Sequence, residues 1–239
     1  MTNIYETAEQ TAHAMAELIL QSVKKKVKKS LPFNIAISGG STPKLLFTIL
    51  AKEYLDTIPW HFVRVFWVDE RCVAPTHPDS NFGMTYASLL KHVPILETNI
   101  FRMQGEANPK NEALRYQKLL ETELPMQNGF PQFDLVLLGI GEDGHTASFF
   151  PNNMSLLHSE SAVTIGIQPV SGQKRITLTA KTIQQAIQVV FLVTGESKAD
   201  ILRQIIKQES TYKLYPASYM FSTSGIADFY LDQTAASKL

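Results

Sequence analysis

The chain has 239 residues, 44% hydrophobic and 18% charged, with 22 Lys+Arg against 22 Asp+Glu. That length suits one large α/β domain spanning 1–239 with a sizeable core. The balanced charge excludes the basic excess of a nucleic-acid binder, the single Cys72 excludes an internal disulfide, and no apolar run approaches the ~18 residues that span a bilayer.

The N-terminus lacks the basic-then-apolar pattern of a secretory signal, so the expected location is cytoplasmic. The closing Ser237-Lys238-Leu239 spells a peroxisomal address only in a eukaryote, and we read it as coincidence. Residues 6–29 carry Ala8, Ala12, Ala16, Ile19, Val23 and Val27 near helical spacing, with Thr7 and Gln10 placed for a capping box. The cluster from Lys24 to Lys29 then reads as the exposed end of that helix, where cations suit the dipole. Phe33 to Ser38 is a short apolar strand, followed by Gly39, Gly40, Ser41, Thr42 and Pro43. Thr42 is the expected N-cap and Pro43 the expected first residue of the next helix.

Val63 to Val68 is a second strand, ending at a loop of Asp69, Glu70 and Arg71, with a helix near 81–92. A further helix starts at Asn108-Pro109, and a strand from Asp134 to Leu138 runs into the segment from Gly139 to His145. Residues 162–167 and 175–179 read as strands, as do 188–193 and 226–231. A helix follows Lys198, and a short one is expected after Asp232. Apolar strands alternating with amphipathic helices imply a mostly parallel sheet covered on both faces. Ligands of such sheets bind beyond the carboxyl ends of the strands. The loops after Ser38, Val68, Leu138 and Val193 therefore converge at one edge.

The chemistry at that edge begins with Gly39, Gly40, Ser41 and Thr42. Glycines admit a ligand close to backbone N–H groups, two hydroxyls follow, and a helix begins there, which suits a phosphate. Arg71 supplies a guanidinium able to clamp an anion, and Asp69 a carboxylate for a sugar hydroxyl or a positive partner. Gly139, Gly141 and Gly144 fit the spacing of a dinucleotide fingerprint, but Glu142 and Asp143 would face the incoming pyrophosphate. The sharper reading is Asp143-x-His145, a proton-moving histidine beside a carboxylate that fixes its tautomer. Arg175 and Lys198 add cations. Neither a helical His-x3-His nor a cysteine cluster is present, so no metal or other cofactor is expected.

These segments in this order resemble the 6-phosphogluconolactonase family and, more distantly, the glucosamine-6-phosphate deaminase/isomerases. The carrying pieces are Ser38 to Pro43, Trp67 to Arg71, Asp79 to Gly83, Leu138 to Ser148, Arg175 to Thr179, Gly195 to Ala199 and Pro216 to Ser218. The resemblance implies a NagB-like fold, a three-layer Rossmann-like α/β sandwich. It also implies a phosphorylated sugar lactone as substrate, in the oxidative pentose phosphate pathway, with no nucleic-acid or membrane partner. The deaminase pattern continues past its histidine to a ring-opening Glu, and Phe150 stands at that position here. The deaminases also carry Tyr where this chain has Arg71. Both departures favour the lactonase over a deaminase, while the intact Asp143-x-His145 and the lack of a visible helix-turn-helix argue against a non-catalytic sugar-phosphate sensor. On this reading the phosphate sits on Gly39–Thr42 with Arg71, Arg175 and Lys198, His145 is the general base, Asp143 orients it, and Asp69 binds sugar hydroxyls. The C-terminal part is the least typical, and no role is carried over to it.

Overall fold

A computed structural model describes all residues 1–239. Its strands in chain order are β1 (Thr2–Tyr5), β2 (Phe33–Ile37), β3 (Val63–Trp67), β4 (Asp69–Arg71), β5 (Ile100–Phe101), β6 (Met126–Gln127), β7 (Phe130–Pro131), β8 (Leu135–Leu138), β9 (Val163–Ile167), β10 (Lys174–Leu178), β11 (Gln188–Val193) and β12 (Asp228–Asp232). The α-helices are α1 (Ala8–Val27), α2 (Ser41–Glu53), α3 (Asn81–Ser88), α4 (Pro109–Glu123), α5 (Ala180–Gln184) and α6 (Ala199–Ile206).

Seven strands form one sheet in the order β1-β12-β11-β8-β2-β3-β5, and every pairing in it is parallel. Alternation along each strand sorts the side chains into two cores. Ile35, Val65, Leu137 and Val190 face one side, where they meet Ala12, Met15 and Ile19 of α1 and Leu46 and Leu50 of α2. Ala36, Phe66, Val136 and Phe191 face the other, where they meet Tyr116 and Leu120 of α4, Ile183 of α5 and Leu202 of α6. Helices thus cover both faces, which is the three-layer sandwich expected from continuous apolar strands. Helix α1 opens on half of the expected capping box: Gln10 N donates to Thr7 Oγ1 at 3.1 Å, while Gln10 Oε1 accepts from Glu6 N at 3.0 Å rather than from Thr7 N. Of the lysine cluster, Lys26 does more than sit on a helix end, pairing with the buried Asp134 at 2.5 Å.

The order of the sheet locates its crevice. From β2 the chain advances outward through β3 and β5, and from β8 it advances the other way through β11 and β12. Loops leaving β2 and β8 therefore part to opposite sides and leave a gap at their carboxyl ends, the switch point where such sheets bind ligands.

Four expectations are corrected. Asp69, Glu70 and Arg71 are not a loop but strand β4, which pairs antiparallel with β10. Val68 is the pivot: its N–H donates to Ile37 O at 2.9 Å in the large sheet, while its carbonyl accepts from Leu178 N at 2.8 Å in the small one. Strands β9 and β10 likewise belong to this separate three-stranded sheet, β4-β10-β9, because their short connection allows only an antiparallel pair. Helix α2 is capped by Gly40, at φ 118°, rather than by Thr42, so Pro43 falls in the third helical position. Its missing N–H is still one that no helical carbonyl would have accepted. Beyond Asp232 the chain makes turns, not a helix; Asp232 Oδ1 accepts from Ala235 N at 2.7 Å and from Gly195 N at 3.1 Å, tying the terminus to the β11 loop.

Candidate active site

The turn after β8 is shaped around His145. Gly141 N donates to His145 O at 2.8 Å and Gly144 N to Gly141 O at 3.0 Å, which closes the loop on itself. Gly144 sits at φ 78°, open to glycine without strain. Gly141 is needed for space: a Cβ there would overlap His145 Nδ1 and Cε1 and lie 2.7 Å from Asp143 Oδ1. With that space kept free, His145 Nδ1 and Asp143 Oδ1 stand 2.5 Å apart, and the same oxygen accepts the His145 backbone N–H at 3.1 Å. Burial pushes the Asp143 carboxyl up, but the His145 N–H, the ring's charge and its hydrogen bond outweigh this and hold it below the usual carboxylate range. An ionised carboxylate can only accept, so Nδ1 carries a proton, and in the neutral ring the lone pair is on Nε2. The imidazole is 33% exposed, open to a reactant in the crevice.

Two cationic groups flank this turn. On one side Gly39, Gly40, Ser41, Thr42, Gly139, Thr194 and Lys198 line a pocket of about 170 Å³. Thr42 Oγ1 and Thr194 Oγ1 are 2.9 Å apart, joining the loops after β2 and β11. Lys198 Nζ reaches Glu142 Oε1 at 3.3 Å, and Ser197 and Lys198 together lower the Glu142 carboxyl from its ordinary value. On the other side Arg71 and Arg175 are direct cross-strand neighbours on β4 and β10. Both have a buried Nε without a hydrogen-bond partner. Arg71 spends one terminal nitrogen on Asp79 O at 2.6 Å. Burial lowers the Arg175 guanidinium from its ordinary value, Asp69 opposes that shift, and Arg71 reinforces it. Two adjacent guanidiniums with unspent donors are chemically able to hold an anion.

Asp69 does not face the crevice. It is 4% exposed; Oδ2 accepts from Ser148 Oγ at 2.6 Å and stands 3.8 Å from Arg175, and Oδ1 accepts from Asn81 Nδ2 at 3.1 Å. Of the two partners the sequence allowed it, the positive one is present. Glu70 is also consumed internally, accepting from Asn81 N, Phe82 N and Ser80 Oγ at the start of α3. Phe150 links the cations to the base: its ring centroid is 5.0 Å from the His145 ring and 5.5 Å from the Arg175 guanidinium carbon.

The structure therefore joins Asp143 with His145, Lys198 with the glycine loop, and Arg71 with Arg175 and Asp69. Sequence reasoning missed Ser148, Asn81 and Tyr215, and weighed Glu142 only against a pyrophosphate. The first two lie inside quoted motifs, but only the packing of β4 against the β8 turn shows their partner. No three or more His, Cys, Asp and Glu side chains gather where a metal ion could be held.

A family model described as glucosamine-6-phosphate isomerases/6-phosphogluconolactonase matches residues 6–228. The chain is 43% identical over 205 residues to the 6-phosphogluconolactonase of Haemophilus influenzae, covering 85% of this chain and 86% of that protein. It is 40% identical over 230 residues to that of Aggregatibacter actinomycetemcomitans, covering 96% and 97%. The crystal structure of 6-phosphogluconolactonase from Leishmania guyanensis superposes with a TM-score of 0.87 at 31% identity, covering 98% of this chain and 97% of that one. The chain belongs to the glucosamine-6-phosphate isomerase/6-phosphogluconolactonase family.

Proposed function

We propose that the protein hydrolyses 6-phospho-D-glucono-1,5-lactone to 6-phospho-D-gluconate, the lactonase step of the oxidative pentose phosphate pathway. The observation that carries the reading is the His145–Asp143 pair at 2.5 Å, set in a turn that Gly141 keeps clear and flanked by cations on both sides. A lactone is an activated ester, so a positioned general base is enough to open it.

His145 Nε2 takes a proton from a water, and the water oxygen bonds to lactone C1. The carbonyl π pair moves onto its oxygen, giving a tetrahedral oxyanion. Collapse reforms the carbonyl and breaks the C1–ring-oxygen bond, and the ring oxygen recovers the proton from His145. Asp143 holds the ring in the Nδ1–H tautomer and stabilises the transient imidazolium. The phosphate docks on Gly39, Gly40, Ser41 and Thr42 with Lys198, and Arg71 and Arg175 supply the remaining cationic donors. The pocket at the glycine loop, about 170 Å³, suits a phosphoryl group rather than a whole sugar. Asp69 works from behind, holding Arg175. At the position of the acid that ring opening by a deaminase needs stands Phe150, buried at 2% exposure.

The test is hydrolysis of freshly generated lactone, coupled to 6-phosphogluconate dehydrogenase and corrected for spontaneous opening. Turnover well above background, lost by on the order of 10²–10⁴-fold in His145→Ala with product binding retained, is the expected result. A folded protein with no enhancement, or one that releases ammonia from glucosamine 6-phosphate, refutes it.

A further inference from the structure

In the turn that carries His145, the side chains of His145 and Asp143 are 33% and 51% exposed. Two of its residues, Gly144 at φ 78° and Ala147 at φ 49°, lie in the left-handed region, where an L-residue such as Ala147 stays only if its surroundings hold it. Part of that hold is internal, since Thr146 Oγ1 donates to Gly139 O at 2.7 Å. The rest comes from the C-terminal segment. Ala217 N donates to Gly144 O at 3.2 Å. The Tyr215 ring lies flush on the bare Gly144 Cα: a Cβ there would be 2.6 Å from Tyr215 Cδ1 and 2.8 Å from Cβ and Cγ. Tyr215 is itself held at the far end. Its Oη donates to Gln204 Oε1 at 2.8 Å, and Thr211 Oγ1 donates to the same oxygen at 2.7 Å. Gln204 is on α6, anchored in the core by Ile201, Leu202 and Ile205, and Lys198 is the residue from which α6 begins.

We infer that Tyr215 is a positioning residue for His145, and that through Gln204 it ties the general base to the helix whose first turn carries the anion-binding Lys198. The inference rests on the proposed role of His145. Tyr215 touches no reacting atom. It fixes the left-handed turn at Gly144 and so the line from Nε2 to the substrate carbonyl. One rigid path, α6 to Gln204 to Tyr215 to Gly144, sets the spacing between the cation that holds the phosphate and the nitrogen that moves the proton.

Tyr215→Ala is expected to lower kcat by roughly tenfold or more, while the dissociation constant of 6-phosphogluconate stays within about twofold, because misplacing a base costs the chemical step and not the anchor. Tyr215→Phe keeps the ring on Gly144 but loses the hydrogen bond to Gln204, and is expected to lower kcat less than Tyr215→Ala and by about as much as Gln204→Leu. In a His145→Ala background Tyr215→Ala should cause no further loss. The ring ¹⁵N shifts of His145 should report one fixed tautomer in the wild type and tautomer averaging in Tyr215→Ala. Unchanged kcat in Tyr215→Ala, a further loss in the His145→Ala background, or an unchanged ring spectrum each overturns the inference. Should Tyr215→Ala fail to fold, Gln204→Leu removes only the acceptor; tautomer averaging with lower kcat supports the tie, and wild-type values of both overturn it. Absence of lactone turnover in the wild type would refute the proposed function alone, since the ring spectrum still decides whether Tyr215 positions His145.

Discussion

Gly141→Ala separates steric positioning from every other contribution, because the backbone there is outside the left-handed region and accepts an alanine. The added methyl would overlap His145 Nδ1 and Cε1 and crowd Asp143 Oδ1 at 2.7 Å. For ordinary carbon contact the ring must retreat by more than ~1 Å. That displacement breaks the 2.5 Å hydrogen bond to Asp143 and takes Nε2 off its line to the carbonyl. A misplacement of ~1 Å costs on the order of 10²-fold in rate, equivalent to ~2.7 kcal/mol at 1.36 kcal/mol per decade. The ring can swing toward solvent, so folding stability should change by less than about 1 kcal/mol. The measurements are kcat in the coupled lactone assay, 6-phosphogluconate affinity by calorimetry, and thermal unfolding. Retention of more than a third of wild-type kcat would refute the claim that Gly141 is bare to admit the imidazole.

Arg71→Ala should act mainly on KM, raising it roughly tenfold or more, since a charge-assisted hydrogen bond lost to a phosphate costs ~1.5–3 kcal/mol; an unchanged KM removes Arg71 from the anion site. Asp143→Asn should cut kcat by on the order of 10², because an amide can stabilise the wrong tautomer; near-normal kcat would show that His145 orients itself. The same variant has a stability signature. Asp143 has its folded carboxyl below the ordinary range, so the folded state binds fewer protons than the unfolded one there. Its contribution is present above about pH 4, the unfolded value, and is lost as pH falls through the folded value. Acid unfolding of Asp143→Asn should lack that component, and superimposable acid transitions would count against the pairing. Treatment with a chelator should leave turnover unchanged, and activity lost and then restored by added metal would overturn the metal-free mechanism.

What the sequence discloses about this fold follows from how local its determinants are. The runs 33–38, 134–138 and 188–193 are apolar on both faces, and only a strand buried from two sides needs that pattern. Convergence of the β2, β8 and β11 loops then follows from parallel geometry, and Lys198 indeed meets Gly39–Thr42 there. The departure at Val68 was not legible. Residues 63–71 read as one strand and its end, and nothing local says that the chain changes sheets when Val68 turns its carbonyl toward Leu178. Asp69 was half legible: its charge predicts a positive partner, but which way the carboxylate points depends on Ser148, 79 positions away. The segment around Tyr215 carried no signal beyond the adjacent motif Pro216 to Ser218. It consists of short 3-10 turns without periodicity, and its contacts with Gly144 and Gln204 are purely tertiary.

The pivot at Val68 is also what makes the site cationic on both sides of its base. Had the chain continued as a loop, Arg71 would be a mobile side chain at a strand end. By entering a second sheet, β4 places Arg71 opposite Arg175 in fixed register and puts Asp69 two residues away, beneath Arg175. The buried Asp69 offsets part of the cost of bringing two guanidiniums together, and Ser148 and Asn81 satisfy its oxygens. Both Nε–H groups of the pair remain buried without a hydrogen-bond partner. On the proposed reading a dianionic phosphate pairs with these guanidiniums, and a sugar lactone without one does not. The discrimination between phosphorylated and plain lactones should therefore reside in Arg71 and Arg175. Removing Asp69 should weaken it through misplacement of Arg175 rather than through any direct contact with substrate. Asp69→Asn, with kcat/KM compared on the phosphorylated lactone and on glucono-1,5-lactone, measures this; an equal effect on both substrates would show that the small sheet serves folding alone.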